Sequence, residues 1–275
     1  MCAVSLPSPP GSSPSMAKIS FTGLPGSGKS MALGQRALKC FVVNETLNEK
    51  NPELKRTVYS NMIFTPKVEK AFGLPAFDRV LYRNLRAQQK WTEAATLLQE
   101  YNARTWKVQY WSERLELIRI RNADIIIDEE QIYFDAQEWQ MMSQAEKRFF
   151  QQHRRYGVDI YAASQDFAQV DKSIRRVTSE LYYFEKMFGS PDISSTRPNP
   201  RWIYGVSLIY KMDPTVYDET ISKLSLRLPT SFMWISRKKT EVFDTTEEIV
   251  AGEFAPLRKI VRVCPEDGYR LVKYV

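Results

Sequence analysis

Short apolar runs alternate along the chain with longer stretches of helical periodicity. Lys18-Ile19-Ser20-Phe21-Thr22 reads as a strand that runs straight into a glycine-rich turn. Ser30 to Val42 then places Leu33, Ala37 and Cys40 or Phe41 on one face of a helix. Val58 to Met62 predicts a second strand. From about Arg86 to Ile118 the pattern is helical, with Leu97, Leu98, Tyr101, Val108, Trp111, Leu115 and Ile118 at helix-like spacings, a core face rather than a cofactor site. Ala123 to Asp128 contains the unbroken run Ile125-Ile126-Ile127, as a strand buried on both faces would. Either Asp135-x-x-Glu138 or Ser143-x-x-Glu146 opens a helix before His153, and Gly157 stops it. Val158 to Ser164 is the next strand, Asp171 to Ser179 a short helix, and Leu181 to Phe184 another strand.

Strands alternating with helices predict an α/β fold with a parallel sheet, helices on its faces and right-handed crossovers. The character changes after Met187. Pro191 to Pro200 reads as a loop, and Trp202 to Tyr210 and Ser231 to Ser236 as strands with few helical signals between them. The chain therefore divides into a Pro- and Ser-rich disordered arm over 1–16, with Met16 as an alternative start, a core over 17–190, and a C-terminal extension over 191–275, partly β and packed on the core. No internal repeat is visible.

Composition narrows the class. Of 275 residues, 43% are hydrophobic, enough for a sizeable core. Cys2, Cys40 and Cys264 are far apart and form no C-x-x-C pair, which argues against a zinc site or disulfide framework and for a reducing compartment. No run approaches the roughly 20 apolar residues of a membrane span, and the N-terminus lacks the charged and apolar regions of a signal peptide. The net charge of +7 permits contact with nucleic acid. The excess is spread along the chain, and its densest block is Arg237-Lys238-Lys239, so a solvated basic surface is the simpler reading.

The glycine-rich turn carries the chemistry. Gly23, Leu24, Pro25, Gly26, Ser27, Gly28, Lys29 and Ser30 form a complete G-x-x-x-x-G-K-S phosphate loop, and Met31 follows in the first helical turn. Such a loop turns consecutive backbone N–H groups toward phosphate oxygens, and the helix behind it adds its positive end. Lys29 would reach the β- and γ-phosphates of ATP, and the Ser30 hydroxyl would ligate Mg2+. Asp128, at the end of the isoleucine strand, is the second metal ligand. Glu129 stands where a carboxylate polarises the attacking water; the plainer alternative is a polar residue at a strand exit, which is the reading for Glu130. In P-loop NTPases with an added strand between the two motif strands, a polar residue at its end senses the γ-phosphate. Gln165 is the first choice here and Ser164 the second. A cation must offset charge on the transferred group; Arg154 and Arg155, or Arg175 and Arg176, are the candidates, acting across a subunit boundary. His153, the sole histidine, reads as structural.

These strings resemble the zonular occludens toxin-like family, the assembly ATPases of filamentous bacteriophages. Phe21 to Ser30 is similar to the family's opening and Val58-Tyr59-Ser60-Asn61 to its second strand. Gln152-His153-Arg154-Arg155-Tyr156-Gly157-Val158-Asp159-Ile160 is similar to its H-R-x-x-G-x-D-I segment, with Ser164-Gln165 and Asp171-x-x-Ile174-Arg175 at family-like spacing. Phe243-Asp244-Thr245-Thr246-Glu247 resembles its aromatic-D-T tail. The resemblance covers roughly residues 17 to 250. It implies a RecA-like core related to FtsK/HerA-type translocases, a homo-oligomeric ring with six subunits as the first expectation, and ATP-driven extrusion or packaging of phage DNA. It also implies active-site roles for Arg154, Arg155 or Arg175. Family members typically carry a membrane-spanning helix after this domain. None is present before Val275, so a membrane-anchored assembly partner, or a soluble packaging motor in the host cytoplasm, is expected instead.

Three other readings remain. A nucleotide-gated adaptor would bind ATP without turning it over. A P-loop small-molecule kinase fits less well, because Glu129 suits water activation and no Arg-rich lid is evident. A GTPase would need an N-K-x-D motif, which is missing.

Overall fold

The computed structural model describes residues 17–51, 55–138, 142–188, 205–217, 228–235 and 242. The arm over 1–16, the Pro191–Pro200 loop, Arg237-Lys238-Lys239 and the Phe243–Glu247 string lie outside the described residues. Among the described residues, eight strands share one sheet: β1 (Lys18–Thr22), β2 (Thr57–Ser60), β3 (Val108–Tyr110), β4 (Ala123–Ile127), β5 (Val158–Ser164), β6 (Glu180–Phe188), β7 (Gly205–Met212) and β8 (Ser231–Ile235). Their order is β3-β2-β4-β5-β1-β6-β7-β8. The first six are parallel, and β7 and β8 continue the sheet antiparallel. The strands after residue 190 thus extend the same sheet as the phosphate loop's strand.

Alternation along the central strands explains the layers, since successive side chains point to opposite faces. On one face Phe21, Ile126, Tyr161, Ala163 and Phe184 pack under α1 (Lys29–Lys50) through Leu33, Ala37 and Phe41. On the other, Ile125, Ile127, Val158, Ile160 and Ala162 meet Phe149 and Phe150. Those phenylalanines lie on α7 (Gln144–Gln152), whose capping box is Ser143 with Glu146, and Gly157 in the left-handed region (φ 70) ends the chain's run before β5. Of the two candidate caps, Ser143 is used; Ala136–Glu138 is a single 3-10 turn. The remaining helices are α2 (Pro66–Ala71), α3 (Arg79–Ala87), α4 (Trp91–Arg104), α5 (Arg114–Leu117), α6 (Glu130–Tyr133) and α8 (Lys172–Arg175).

One expectation needs correction. The segment from Arg86 to Ile118 is not a continuous helical pattern but α4, the edge strand β3 and α5. Leu98, Tyr101 and Val108 pack on the α1 side of the sheet and Trp111 on the other, while Leu115 is exposed. The chain turns back at Thr105 because Asn102 completes the edge strand: its side-chain amide donates to the Tyr110 carbonyl (2.8 Å) and its Oδ1 accepts from the Tyr110 N–H (2.7 Å).

A buried charge cluster holds the N-terminal ends of the strands. Arg56, just before β2, grips Asp124 of β4 with two bonds, Nη2 to Oδ1 at 2.8 Å and Nε to Oδ2 at 3.0 Å. Its Nη2 also pairs with Asp159 of β5 at 2.6 Å, and its Nη1 donates to the Gly157 carbonyl at 2.9 Å. Asn44 of α1 donates to Asp124 at 2.8 Å. Burial pushes the Asp159 carboxyl up to about 6, against the Ala17 N–H and Arg56 that favour its charged form. The aspartate of the Val158-Asp159-Ile160 string is therefore part of the scaffold, at the end of the sheet opposite the phosphate loop.

Candidate functional site

Because β1, β4 and β5 are parallel neighbours, their C-terminal ends open on one edge, where open α/β sheets place ligands. Thr22 pairs with Ser164 in register and Ile127 with Ala162. The chain leaves these strands at Gly23, Asp128 and Gln165. Strand β5 lies between the two motif strands, the topology of a RecA-like P-loop core.

The loop is built to receive an anion. A Cβ on Gly23 (φ 142) would sit 2.2 Å from the Phe184 carbonyl oxygen of β6, so only glycine fits that approach. Gly28 (φ 92) is the N-cap of α1 and supplies no side-chain cap. No side chain among the described residues caps the first turn of this 22-residue helix, which leaves its N–H groups available to an anion. The Ser27 hydroxyl is buried without a partner among the described residues. Ser207 of β7 donates to the Ser27 carbonyl at 2.5 Å, so the antiparallel extension braces the loop. Leu24, Pro25 and Gly26 form its exposed rim, and Met31 is buried beneath it.

Lys29 is buried, its ammonium donating to the carbonyls of Gly23 (2.6 Å) and Leu24 (3.1 Å). Burial lowers its pKa, and the charges of Glu129 and Asp128 oppose the shift. The Ser30 hydroxyl lies 3.2 and 3.0 Å from the two oxygens of Asp128. Hydroxyl and Asp128 carboxylate therefore touch, and Lys29 lies close enough to feel the charge of both Asp128 and Glu129. Burial, with the neighbouring Glu129 charge, pushes the Asp128 carboxyl up to about 7. The hydroxyl and carboxylate form an all-oxygen donor set that suits a hard divalent cation such as Mg2+. The uncapped helix start and the Ser27 hydroxyl, unpartnered among the described residues, suit the phosphates it would accompany. The fit holds.

Two side chains to which the sequence reading assigned no role complete the site. Asn61, just past β2, accepts the Asp128 N–H on Oδ1 and donates from Nδ2 to the Asp128 carbonyl, both at 2.9 Å. Gln131 donates to Glu129 at 2.5 Å. A polar residue shortly beyond each strand end was the only available signal. Glu129 itself adopts a left-handed backbone (φ 52, ψ 52) as the cap of α6. Glu130 serves the core instead. It is fully buried, with Lys18 Nζ 2.9 Å from its Oε1, and that ammonium also donates to Ser20 and Thr178.

Gln165 is exposed at the end of β5, and Ser164 is buried with its hydroxyl unpartnered among the described residues. Arg154 and Arg155 are exposed in the 3-10 turn His153–Tyr156 that precedes β5. The seven residues of β5 separate them from the loop's edge, roughly 20 Å at 3.3 Å per residue. They cannot reach the loop of their own chain. Arg175, at the end of α8, stacks over Phe167 with its Nε buried and unpartnered among the described residues; Arg176 is exposed. His153 is buried, its Nδ1 2.7 Å from the Phe150 carbonyl, and burial lowers its pKa.

Among solved structures, the N-terminal domain of zonular occludens toxin from Neisseria meningitidis aligns at 15% identity and TM-score 0.42, covering 83% of this chain and 100% of that one. The genome packaging NTPase B204 of Sulfolobus turreted icosahedral virus 2, in complex with ATP-gammaS, aligns at 12% and 0.36 over 70% and 91%. The flagellar accessory protein FlaH of Methanocaldococcus jannaschii aligns at 11% and 0.34 over 72% and 78%. No curated protein sequence matches. The family model for zonular occludens toxin (Zot) matches residues 18–192, well over half of the 275 residues, and the chain belongs to that family.

Proposed function

We propose that this protein is an ATP-hydrolysing motor for phage virion assembly, extruding or packaging the genome. The observation that carries the reading is the convergence of Lys29, Ser30 and Asp128, with Glu129 one residue on, at the edge of a Zot-family sheet. Lys29 exchanges its two loop carbonyls for phosphate oxygens, and the N–H groups of the loop and first helical turn hold the rest of the triphosphate. Ser30 and Asp128 hold Mg2+, which when bound neutralises charge on the β- and γ-phosphates. Glu129 takes a proton from the attacking water. Gln165 reports the γ-phosphate, and Arg154, Arg155 or Arg175 of a neighbouring copy supplies the cation, which requires a homo-oligomeric ring.

The basic net charge supports contact with phage DNA. No helix among the described residues is long and apolar enough to cross a membrane. The proposed setting is the host cytoplasm, with a membrane-anchored partner holding the ring at the inner membrane.

The test is phosphate release by the full chain, with and without DNA, for wild type, Lys29→Ala and Glu129→Gln. A motor loses turnover in both variants and keeps ATP binding in Glu129→Gln. Wild-type protein that binds ATP with no turnover under any condition is instead an adaptor.

A further inference from the structure

Glu129, Glu130 and Gln131 are consecutive, and the fold uses them in three different ways. Glu130 points into the core and pairs with Lys18, which pins α6 from below. Gln131 leaves the same short helix on its half-buried side. Its Nε2 donates to Glu129 Oε2 at 2.5 Å, and its Oε1 accepts from the Gln165 backbone N–H at 3.3 Å. The amide orientation is fixed by its partners. An ionised carboxylate only accepts, a backbone N–H only donates, and a flipped amide would satisfy neither.

One side chain therefore spans the ends of β4 and β5. The Glu129 carboxylate is drawn to the β5 side of its own strand, next to the residue that would report the γ-phosphate. Its left-handed backbone, unfavourable for a non-glycine residue, is held by the first turn of α6, where Ile132 N–H donates to the Glu129 carbonyl at 2.8 Å. A glutamate on a turned backbone with a free side chain would sample many rotamers. The Gln131 amide removes that freedom.

We infer that Gln131 is the positioning residue of the hydrolytic step: it aims Glu129 at the attacking water and couples that aim to the strand end at Gln165. This rests on the reading of Glu129 as the base. Its two side-chain bonds go to Glu129 and to the Gln165 backbone, so Gln131 acts through Glu129 and sets the rate of the step rather than the affinity for ATP. A displacement of the β5 end, by nucleotide or by a neighbouring copy, is transmitted to the base through one amide.

The experiment measures single-turnover hydrolysis and ATP affinity of the full chain for Gln131→Met, which removes both bonds, and Gln131→Glu, which keeps an acceptor for Gln165 but opposes Glu129. Each is made alone and in the Glu129→Gln background, with thermal stability recorded. The expected result is a turnover loss on the order of 10- to 100-fold in both single variants, ATP affinity within about twofold, and no further loss in the Glu129→Gln background. If Gln131→Met fails to fold, Gln131→Glu alone decides. Wild-type turnover in the Gln131 variants overturns the inference, as does an equal loss in the Glu129→Gln background. If Glu129→Gln itself hydrolyses ATP normally, the assignment of the base has failed first, and that result is distinct from either.

Discussion

The side-chain amide of Asn61 closes a two-bond ring with the backbone of Asp128, accepting its N–H and donating to its carbonyl at 2.9 Å each. The bonds tie the end of β2 to the end of β4 and fix the point from which the metal carboxylate projects. Asn61→Ala should leave both backbone groups unsatisfied in a part-buried site, costing about 1–3 kcal/mol. For a chain of this size that lowers the melting temperature by about 2–4 °C per kcal/mol. Thermal melts with and without Mg2+ and ATP check it, and the variant should also gain less from the ligands than wild type. An unchanged melt would show that the ring contributes nothing.

Gly23→Ala is expected to abolish nucleotide binding. The added methyl would meet the Phe184 carbonyl at 2.2 Å, a backbone atom that cannot swing aside, at a φ of 142 that disfavours any side chain. Titration with a fluorescent ATP analogue, beside a melt to confirm folding, measures the loss. Gly73→Ala, which meets open space at φ 60, controls for the backbone cost alone and should bind normally.

What the sequence could reveal follows from how each part works. A loop that binds through consecutive N–H groups must have consecutive residues, so Gly23 to Ser30 is readable as a string. A strand buried on both faces must be apolar throughout, so Ile125-Ile126-Ile127 is readable too. Asn61 and Gln131 are different, because their roles arise only when the ends of β2, β4 and β5 are brought side by side. The same limit hid β3: Val108 and Trp111 happen to continue the spacing of Tyr101, and only the Asn102–Tyr110 contact shows that the chain has reversed. The family-like segment around Asp159 was legible as a motif, but its burial against Arg56 required the fold.

Arg56 should be among the least replaceable residues outside the site. Arg56→Ala leaves Asp124 and Asp159 facing one another, buried and without their cation, and breaking a buried pair in this way costs about 3–5 kcal/mol. Denaturant unfolding should show that loss. Adding Asp159→Asn and Asp124→Asn to Arg56→Ala should return part of it, because no charge then remains uncompensated. A triple variant as unstable as the single one would mean that shape rather than charge governs the cluster.

The pH dependence of the metal-free protein should carry the mark of Asp128. Its folded pKa of about 7 lies above the ordinary aspartate value of 3.8. Between those values the folded chain holds a proton that the unfolded chain releases. The resulting stabilisation is full below about pH 4 and is lost as pH rises through about 7. Asp128→Asn is neutral throughout and lacks this slope. Melts in chelator between about pH 5 and pH 8 should therefore show wild type losing more stability than the variant as pH rises. Parallel curves would contradict the assignment.

The two glutamates after Asp128 should separate cleanly under mutation. Glu129 is half-buried and hydrogen-bonded at the mouth of the site, whereas Glu130 is fully buried on Lys18. Glu129→Gln should preserve folding and ATP binding while hydrolysis falls by on the order of 100-fold or more, the range for loss of a general base. Glu130→Gln should do the reverse, destabilising the fold by about 3–5 kcal/mol because the Lys18 ammonium loses its counter-charge, with turnover per folded molecule retained. The double variant Lys18→Met with Glu130→Gln should recover part of that stability, since a neutral pair needs no compensation. Melting temperature and phosphate release measured on the same preparations decide the matter. If Glu130→Gln folds as wild type and loses hydrolysis, the roles of the two carboxylates are exchanged.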